Sequence, residues 1–194
     1  MNTAAAPRAA DAARRAEIEA YERAYRDPAY RLGDRRRAHI TIHLNRTEKG
    51  SLLDVSTGRG EVLELAEHLG HGPVAGTEAV AYLCDGERVR HALAHDLPFG
   101  TSSFDTVTMF DVMEHLLPED TEAVCKELAR VAARRILLTV HNGPHVFKGR
   151  DLHINRRRDD AAWLDELVRH FAPFEVVDHG KGDSISTMYE VILR

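Results

Sequence analysis

Cysteine is scarce: Cys84 and Cys125 stand alone among 194 residues and form no CxxC pair. Two such thiols make neither a disulfide framework nor a cysteine metal knuckle. Aromatic residues amount to 6%, with the single tryptophan Trp163. No apolar run approaches the roughly 18 residues that a membrane-crossing helix needs. Residues 1–15 are rich in Ala and Arg but lack the apolar centre of a signal peptide, and Asp11 and Glu17 disfavour a transit peptide. A soluble, cytoplasmic protein without membrane contact is expected. A basic excess is missing too. Lys and Arg number 26 against 31 Asp and Glu, a net charge of −5, and general nucleic-acid binding wants the opposite sign.

What is present is 43% apolar residues, enough for the core of one domain, and an unusual 12 histidines. Residues 1–10 read as a disordered Ala-rich tail. Residues 11–26 have helix composition, with Ile18, Tyr21 and Tyr25 as an apolar stripe, and Asp27-Pro28 ends it. Gly33-Asp34 opens a second helix over 35–44, although Ile40, Ile42 and Leu44 also alternate as in a strand. Beyond Gly50, strands are expected at 51–55, 74–78, 89–93, 104–110 and 136–140, with closing strands at 174–177 and 188–193. Helical stripes follow the first strand (Val62, Leu65, Ala66, Leu69), Pro118 (Val124, Leu128, Val131) and a polar loop over 141–158 (Trp163, Leu164, Leu167, Val168, Phe171). The alternation implies an α/β fold, a doubly wound, mostly parallel seven-stranded sheet with an N-terminal helical extension. Ligands bind such sheets beyond the carboxyl ends of the strands. Ser56 to Gly60, Glu78, His95-Asp96, Asp111 and His141-Asn142 stand at those ends.

The most informative segment is Asp54-Val55-Ser56-Thr57-Gly58-Arg59-Gly60-Glu61-Val62-Leu63. A glycine turn between strand and helix lets backbone approach a ligand and aims helix N–H groups at it. The dinucleotide pattern G-x-G-x-x-G fails, because Leu63 stands where the third glycine belongs. The segment resembles the D-x-G-x-G-x-G loop of class I S-adenosylmethionine-dependent methyltransferases, with Ser56 in place of the first glycine. The strings Ser103-Phe104-Asp105-Thr106-Val107 and Phe110-Asp111-Val112-Met113-Glu114-His115-Leu116 resemble the small-molecule branch often called type 11. Their order and spacing make the combination specific.

The resemblance covers residues 51–194 and implies S-adenosylmethionine as cofactor. It implies that Asp54, Ser56, Thr57, Gly58 and Gly60 form the cofactor loop. Glu78, 24 positions after Asp54, would accept from the ribose hydroxyls with Ala79 beside it, since a carboxylate is a two-pronged acceptor. Ala94, His95 and Asp96 would contact the adenine, and Phe110 and Asp111 would lie beside the sulfonium. Residues 1–46 would form a tail and helical arm capping a core of 47–194.

Methyl transfer needs alignment above all, which supplies roughly 7–11 kcal/mol. A hydroxyl or ammonium acceptor must also lose a proton, and His115 and His141 are the candidates for base or acceptor-orienting residue. Tyr25, Tyr30, Arg37, His145 and His153 are candidate acceptor contacts, though both tyrosines also suit packing. Lys148, Arg150, Arg156, Arg157 and Arg158, together with the N-terminal arginines Arg31, Arg35, Arg36, Arg37 and Arg46, would favour an anionic small molecule if they surround the pocket, unless they form a solvated charge run. No metal is expected. Asp111, His141 and Asn142 fall where related divalent-metal O-methyltransferases carry oxygen ligands, but His141 brings nitrogen. The leading expectation is therefore methyl transfer to O or N of a small acceptor. A non-catalytic cofactor-binding partner subunit and an RNA or protein methyltransferase are the alternatives. No Asn-Pro-Pro-Tyr-like tetrapeptide supports the last, Asp111-Val112-Met113-Glu114 standing in its place.

Overall fold

The segment Leu52–Val55 is buried along its whole length, the mark of a central parallel strand covered on both faces. The computed structural model describes residues 5–157, 159–182 and 184–193; Arg158, among the basic residues named above, lies outside them. Two helices, Ala5–Tyr25 (α1) and Asp34–Arg46 (α2), precede that strand (β1). Then come Glu61–His68 (α3), Val74–Glu78 (β2), Val89–His91 (β3), Phe104–Phe110 (β4), Thr121–Val131 (α4) and Ala132–Val140 (β5). A small hairpin, Val146–Phe147 (β6) and Arg150–Asp151 (β7), follows, and Asp160–Phe171 (α5), Glu175–Gly180 (β8) and Thr187–Ile192 (β9) close the chain.

The seven-stranded sheet has the order β3-β2-β1-β4-β5-β9-β8. The strands β1 to β5 pair in parallel, and β9 runs antiparallel to both its neighbours. The chain winds outward from β1 to β3 and then returns to β4 on the other side of β1. Strand order thus reverses between β1 and β4, and a crevice opens at their carboxyl ends. The two strands are registered there, with Asp54 opposite Thr108.

Successive residues of β1 point to opposite faces. Leu53 and Val55 join a core built with Val124 and Leu128 of α4 and Trp163 and Leu167 of α5. Leu52 joins a second core with Ile40 and Leu44 of α2 and Val62 and Leu63 of α3. The doubly wound, mostly parallel architecture expected from the sequence is the one observed. Among the described residues, no helix is long and apolar enough to cross a membrane.

Several boundaries differ from expectation. Helix α1 begins at Ala5, so most of the stretch read as a tail is helical. The alternation at 40–44 belongs to a helix, because Ile40 and Leu44, four apart, are buried while Ile42 is 48% exposed. Strand β5 starts at Ala132, and β3 ends at His91. Pro118 opens a 3-10 turn, Pro118–Asp120, ahead of α4. The polar loop over 141–158 carries β6 and β7, whose two-residue turn places Lys148 and Gly149 at φ +48° and +82°.

Candidate functional site

The turn after β1 is built from left-handed backbone. Ser56, Gly58 and Gly60 have φ of +60°, +59° and +80°. This region is open to glycine and costly to other residues. Thr57 N–H donates to Thr77 O at 2.9 Å, which ties the turn to β2. Gly58 N–H donates to Glu78 Oε2 at 2.8 Å. Glu78 Oε1 accepts from the N–H of Ala79 at 2.8 Å and of Val80 at 3.0 Å. Burial raises the Glu78 pKa, and those backbone bonds work against it. Asp54 accepts from Thr108 Oγ at 2.6 Å, and burial pushes its pKa up to about 7.

Above this turn lies a cavity of about 360 Å³. Asp54, Ser56, Thr57, Gly58, Glu78 and Ala79 line its floor, and Ala94 and His95 line one end. Phe110, Asp111 and His115 line the other, with Tyr25, Tyr30 and His145 above. Gly60, Arg37, Asp96, His141 and His153 are not on its wall. Gly60 caps α3, and Arg37 pairs with Glu61 at 3.0 Å. Asp96 is exposed, and its N–H donates to Leu93 O at 3.0 Å. His141 N–H donates at 2.8 Å to the fully buried Glu114. Asn142 is committed to structure, its Oδ1 accepting from Trp163 Nε1 at 3.1 Å and Arg157 N at 2.9 Å.

The cavity suits a nucleoside with a charged tail. The Glu78 carboxylate offers acceptors in the crevice, and Tyr25 packs over Gly58 so closely that no side chain fits there. A Cβ at Gly58 would lie 2.5 Å from Tyr25 Oη.

The roof was only partly foreseen. Tyr21, in the helical stripe recognised in the sequence, reaches the cavity and makes a short contact with His115 Nδ1. Leu152 O also contacts His115 Nδ1, at 3.0 Å. A carbonyl can only accept, so Nδ1 carries the proton. Tyr21 Oη then accepts the same proton, and its ring meets Tyr30 edge-on, centroids 6.3 Å apart. Burial pushes the His115 pKa down to about 3. Tyr30 lies 5.1 Å from Phe147 and nearly parallel to His145 at 5.9 Å, centroid to centroid. Phe147 went unnoticed in the sequence. Arg36 reaches Asp111 at 3.1 Å across the cavity.

The basic residues do not form a free positive rim. Lys148 pairs with Asp27 at 2.8 Å, Arg150 with Glu17 at 2.6 Å and Arg156 with Asp151 at 3.3 Å. Arg157 makes a two-pronged contact with Glu166. Each described cation of the 141–158 loop is therefore neutralised locally.

Residues 53–136 match the family model described as a methyltransferase domain. No curated protein sequence matches the chain. Among solved structures, the 1,6-didemethyltoxoflavin-N1-methyltransferase of Burkholderia thailandensis, crystallised with 1,6-didemethyltoxoflavin and S-adenosylhomocysteine, superimposes with a TM-score of 0.66 at 20% identity, covering 99% of this chain and 92% of that one. The PH0226 protein of Pyrococcus horikoshii gives 0.66 at 16% identity, covering 84% of this chain and 92% of that one. A SAM-dependent methyltransferase of Archaeoglobus fulgidus gives 0.55 at 21% identity, covering 75% and 72%. At such identities the likeness is one of fold. The segment matching the family model holds the glycine turn, Glu78 and the end of β4, all of which line the cavity; residues 53–136 carry a methyltransferase domain in the fold these structures share, and that domain indicates S-adenosylmethionine as the cofactor.

Proposed function

We propose that this enzyme methylates an oxygen or nitrogen of a small, flat, conjugated acceptor of little net charge. The observation that carries the reading is the aromatic wall, where Tyr21, Tyr30, Phe147, His115 and His145 pack on one another along the cavity. Flat rings pack best against such edges and faces. The Burkholderia thailandensis neighbour is by its name an N1-methyltransferase, crystallised with the small molecule 1,6-didemethyltoxoflavin, which supports nitrogen of a small molecule as the acceptor. The described basic residues of the 141–158 loop lend an anionic acceptor no support, because each is paired with a carboxylate.

In this reading Glu78 holds the ribose, the turn from Ser56 to Gly60 holds the amino-acid tail, and Ala94 and His95 flank the base. S-adenosylmethionine supplies a methyl group on a positively charged sulfur, already a good leaving group. The protein then has to align the acceptor and exclude water. Asp111 and Arg36 hold the end of the cavity at β4. His115 orients the acceptor and is not the base, since a pKa near 3 leaves it a poor proton acceptor.

Calorimetry with S-adenosylhomocysteine tests the cofactor half. Glu78→Ala is expected to weaken binding at least about 100-fold, the size of two lost charged hydrogen bonds, and unchanged binding would refute the assignment. Transfer of labelled methyl to hydroxylated and N-heteroaromatic compounds tests the acceptor half. Tyr30→Ala should raise the acceptor KM about tenfold with cofactor affinity little changed. Transfer to RNA or protein instead of small rings would overturn the reading.

A further inference from the structure

His115, His145 and His153 converge beside the cavity, with one nitrogen of each within 4.8 Å of the others. Ring centroids lie 4.5 Å apart for His115 and His153 and 5.4 Å for His145 and His153. The three come from distant points of the sequence. His115 ends the turn Met113–His115 after β4, and the β6-β7 hairpin brings His145 and His153 together. Asp151 fixes both, its Oδ1 accepting from His145 N–H and from His153 N–H at 3.1 Å each.

The ring nitrogens are oriented as well as gathered. His115 Nδ1 faces Leu152 O at 3.0 Å, and His153 Nδ1 faces Gly143 O at 2.6 Å. Carbonyls can only accept, so both Nδ1 atoms are protonated and both Nε2 atoms keep a lone pair. Backbone carbonyls fixing the far nitrogen in this way are the usual outer partners of metal-bound histidines. His145 Nδ1 is buried and has no hydrogen-bond partner. Burial lowers the pKa of all three rings, that of His115 to about 3 and that of His153 to about 4. Neutral imidazole is the form that binds metal.

We propose that His115, His145 and His153 bind one divalent transition-metal ion of the zinc, cobalt or nickel class, with an open coordination position facing the cavity. Three nitrogens disfavour magnesium and calcium, which want oxygen. Three histidines with one free position is a donor set used in catalytic zinc sites. Zn–N bonds of about 2.0–2.1 Å require the rings to draw together on binding. The open position faces the acceptor because His115 and His145 line the cavity. The ion's use in catalysis rests on the acceptor reading above, whereas its binding does not. An acceptor O–H or N–H bound there loses its proton to solvent at lower pH. The heteroatom's electron pair then forms the new bond to the methyl carbon as the S–C pair returns to sulfur.

The test uses the full chain, freed of metal by chelator and titrated with Zn²⁺ by calorimetry and with Co²⁺ by visible absorption. One ion per chain is expected, with the Co²⁺ bands of a nitrogen-rich, low-coordinate site. His145→Ala and His153→Ala should each weaken Zn²⁺ binding at least about tenfold, with circular dichroism confirming the fold. His145 sits on the surface hairpin, so its variant serves if the buried His153 variant fails to fold. His43→Ala is the control. It belongs to a second histidine group with His39 and His179, centroids 5.0 Å from each, and should bind Zn²⁺ as wild type does. No binding, or binding equal in His145→Ala and wild type, overturns the proposal. S-adenosylhomocysteine binding to the metal-free chain is measured in parallel. If it persists while Zn²⁺ fails, the site is wrong and the methyltransferase reading stands; the reverse result separates them the other way.

Discussion

Ser56 holds a left-handed backbone, φ +60°, at the position where the related loop carries glycine. That conformation costs a side-chain-bearing residue about 1–2 kcal/mol, while glycine costs about 0.5–1 kcal/mol in unfolded-chain entropy. Ser56→Gly is therefore expected to stabilise the protein by up to about 1 kcal/mol, a rise of about 2–4 °C in melting temperature. Scanning calorimetry checks this, and cofactor affinity should not fall. A lower melting temperature would mean that the serine makes a compensating contact. The floor of the site was legible residue by residue because glycine turns and strand-end carboxylates leave local patterns. The histidine cluster was legible only in part: His115, His145 and His153 were each expected at the site, but not as one group. His115, His145 and His153 belong to different elements, and only the folded hairpin makes them neighbours. One local signal was there to read: Lys148-Gly149 suits a tight hairpin turn, and a hairpin there would have paired His145 with His153.

At the scale of elements, the two N-terminal helices differ in what holds them. Helix α2 sinks Ile40 and Leu44 into a core. Among its described side chains, helix α1 contributes only Ala20 and Ala24 to the buried apolar set. It is fastened instead by polar contacts: Arg14 to both carboxylate oxygens of Asp120, at 2.7 and 2.6 Å, and Tyr82 Oη to Glu22 O at 3.1 Å. Elements with few buried apolar contacts open most easily. Hydrogen exchange followed by mass spectrometry should find α1 amides exchanging at least about tenfold faster than those of α2, and slowing when S-adenosylhomocysteine is added. Equal protection in the two helices would show α1 to be part of the rigid body. The sequence told both helices apart from the core but could not rank them, since the ranking depends on which apolar residues find a partner.

At the scale of the molecule, the sheet order follows from the alternation of short apolar segments with helical stripes, and it places the cavity where strand order reverses. Less accessible was the charge arrangement. A run of arginines and lysines reads the same whether it faces a ligand or a carboxylate across the fold, and here Lys148 and Arg150 meet Asp27 and Glu17 over 100 residues away. These two pairs, with Arg14–Asp120 and Arg36–Asp111, clasp the arm and the hairpin over the cavity. The clasp is a set of charges at a rim, and the medium sets its grip. The distance over which charges sense one another shrinks from about 10 Å at 0.1 M salt to about 3 Å at 1 M. Lys148 is 69% exposed, so its pair should let go first. Stopped-flow measurements across that range should show S-adenosylhomocysteine leaving faster as salt rises, while the denaturant midpoint of the apolar core barely moves. An off-rate indifferent to salt would mean that packing, not charge, closes the roof. An off-rate that climbs with salt makes the enzyme's grip on its cofactor a property of its ionic surroundings as much as of its sequence.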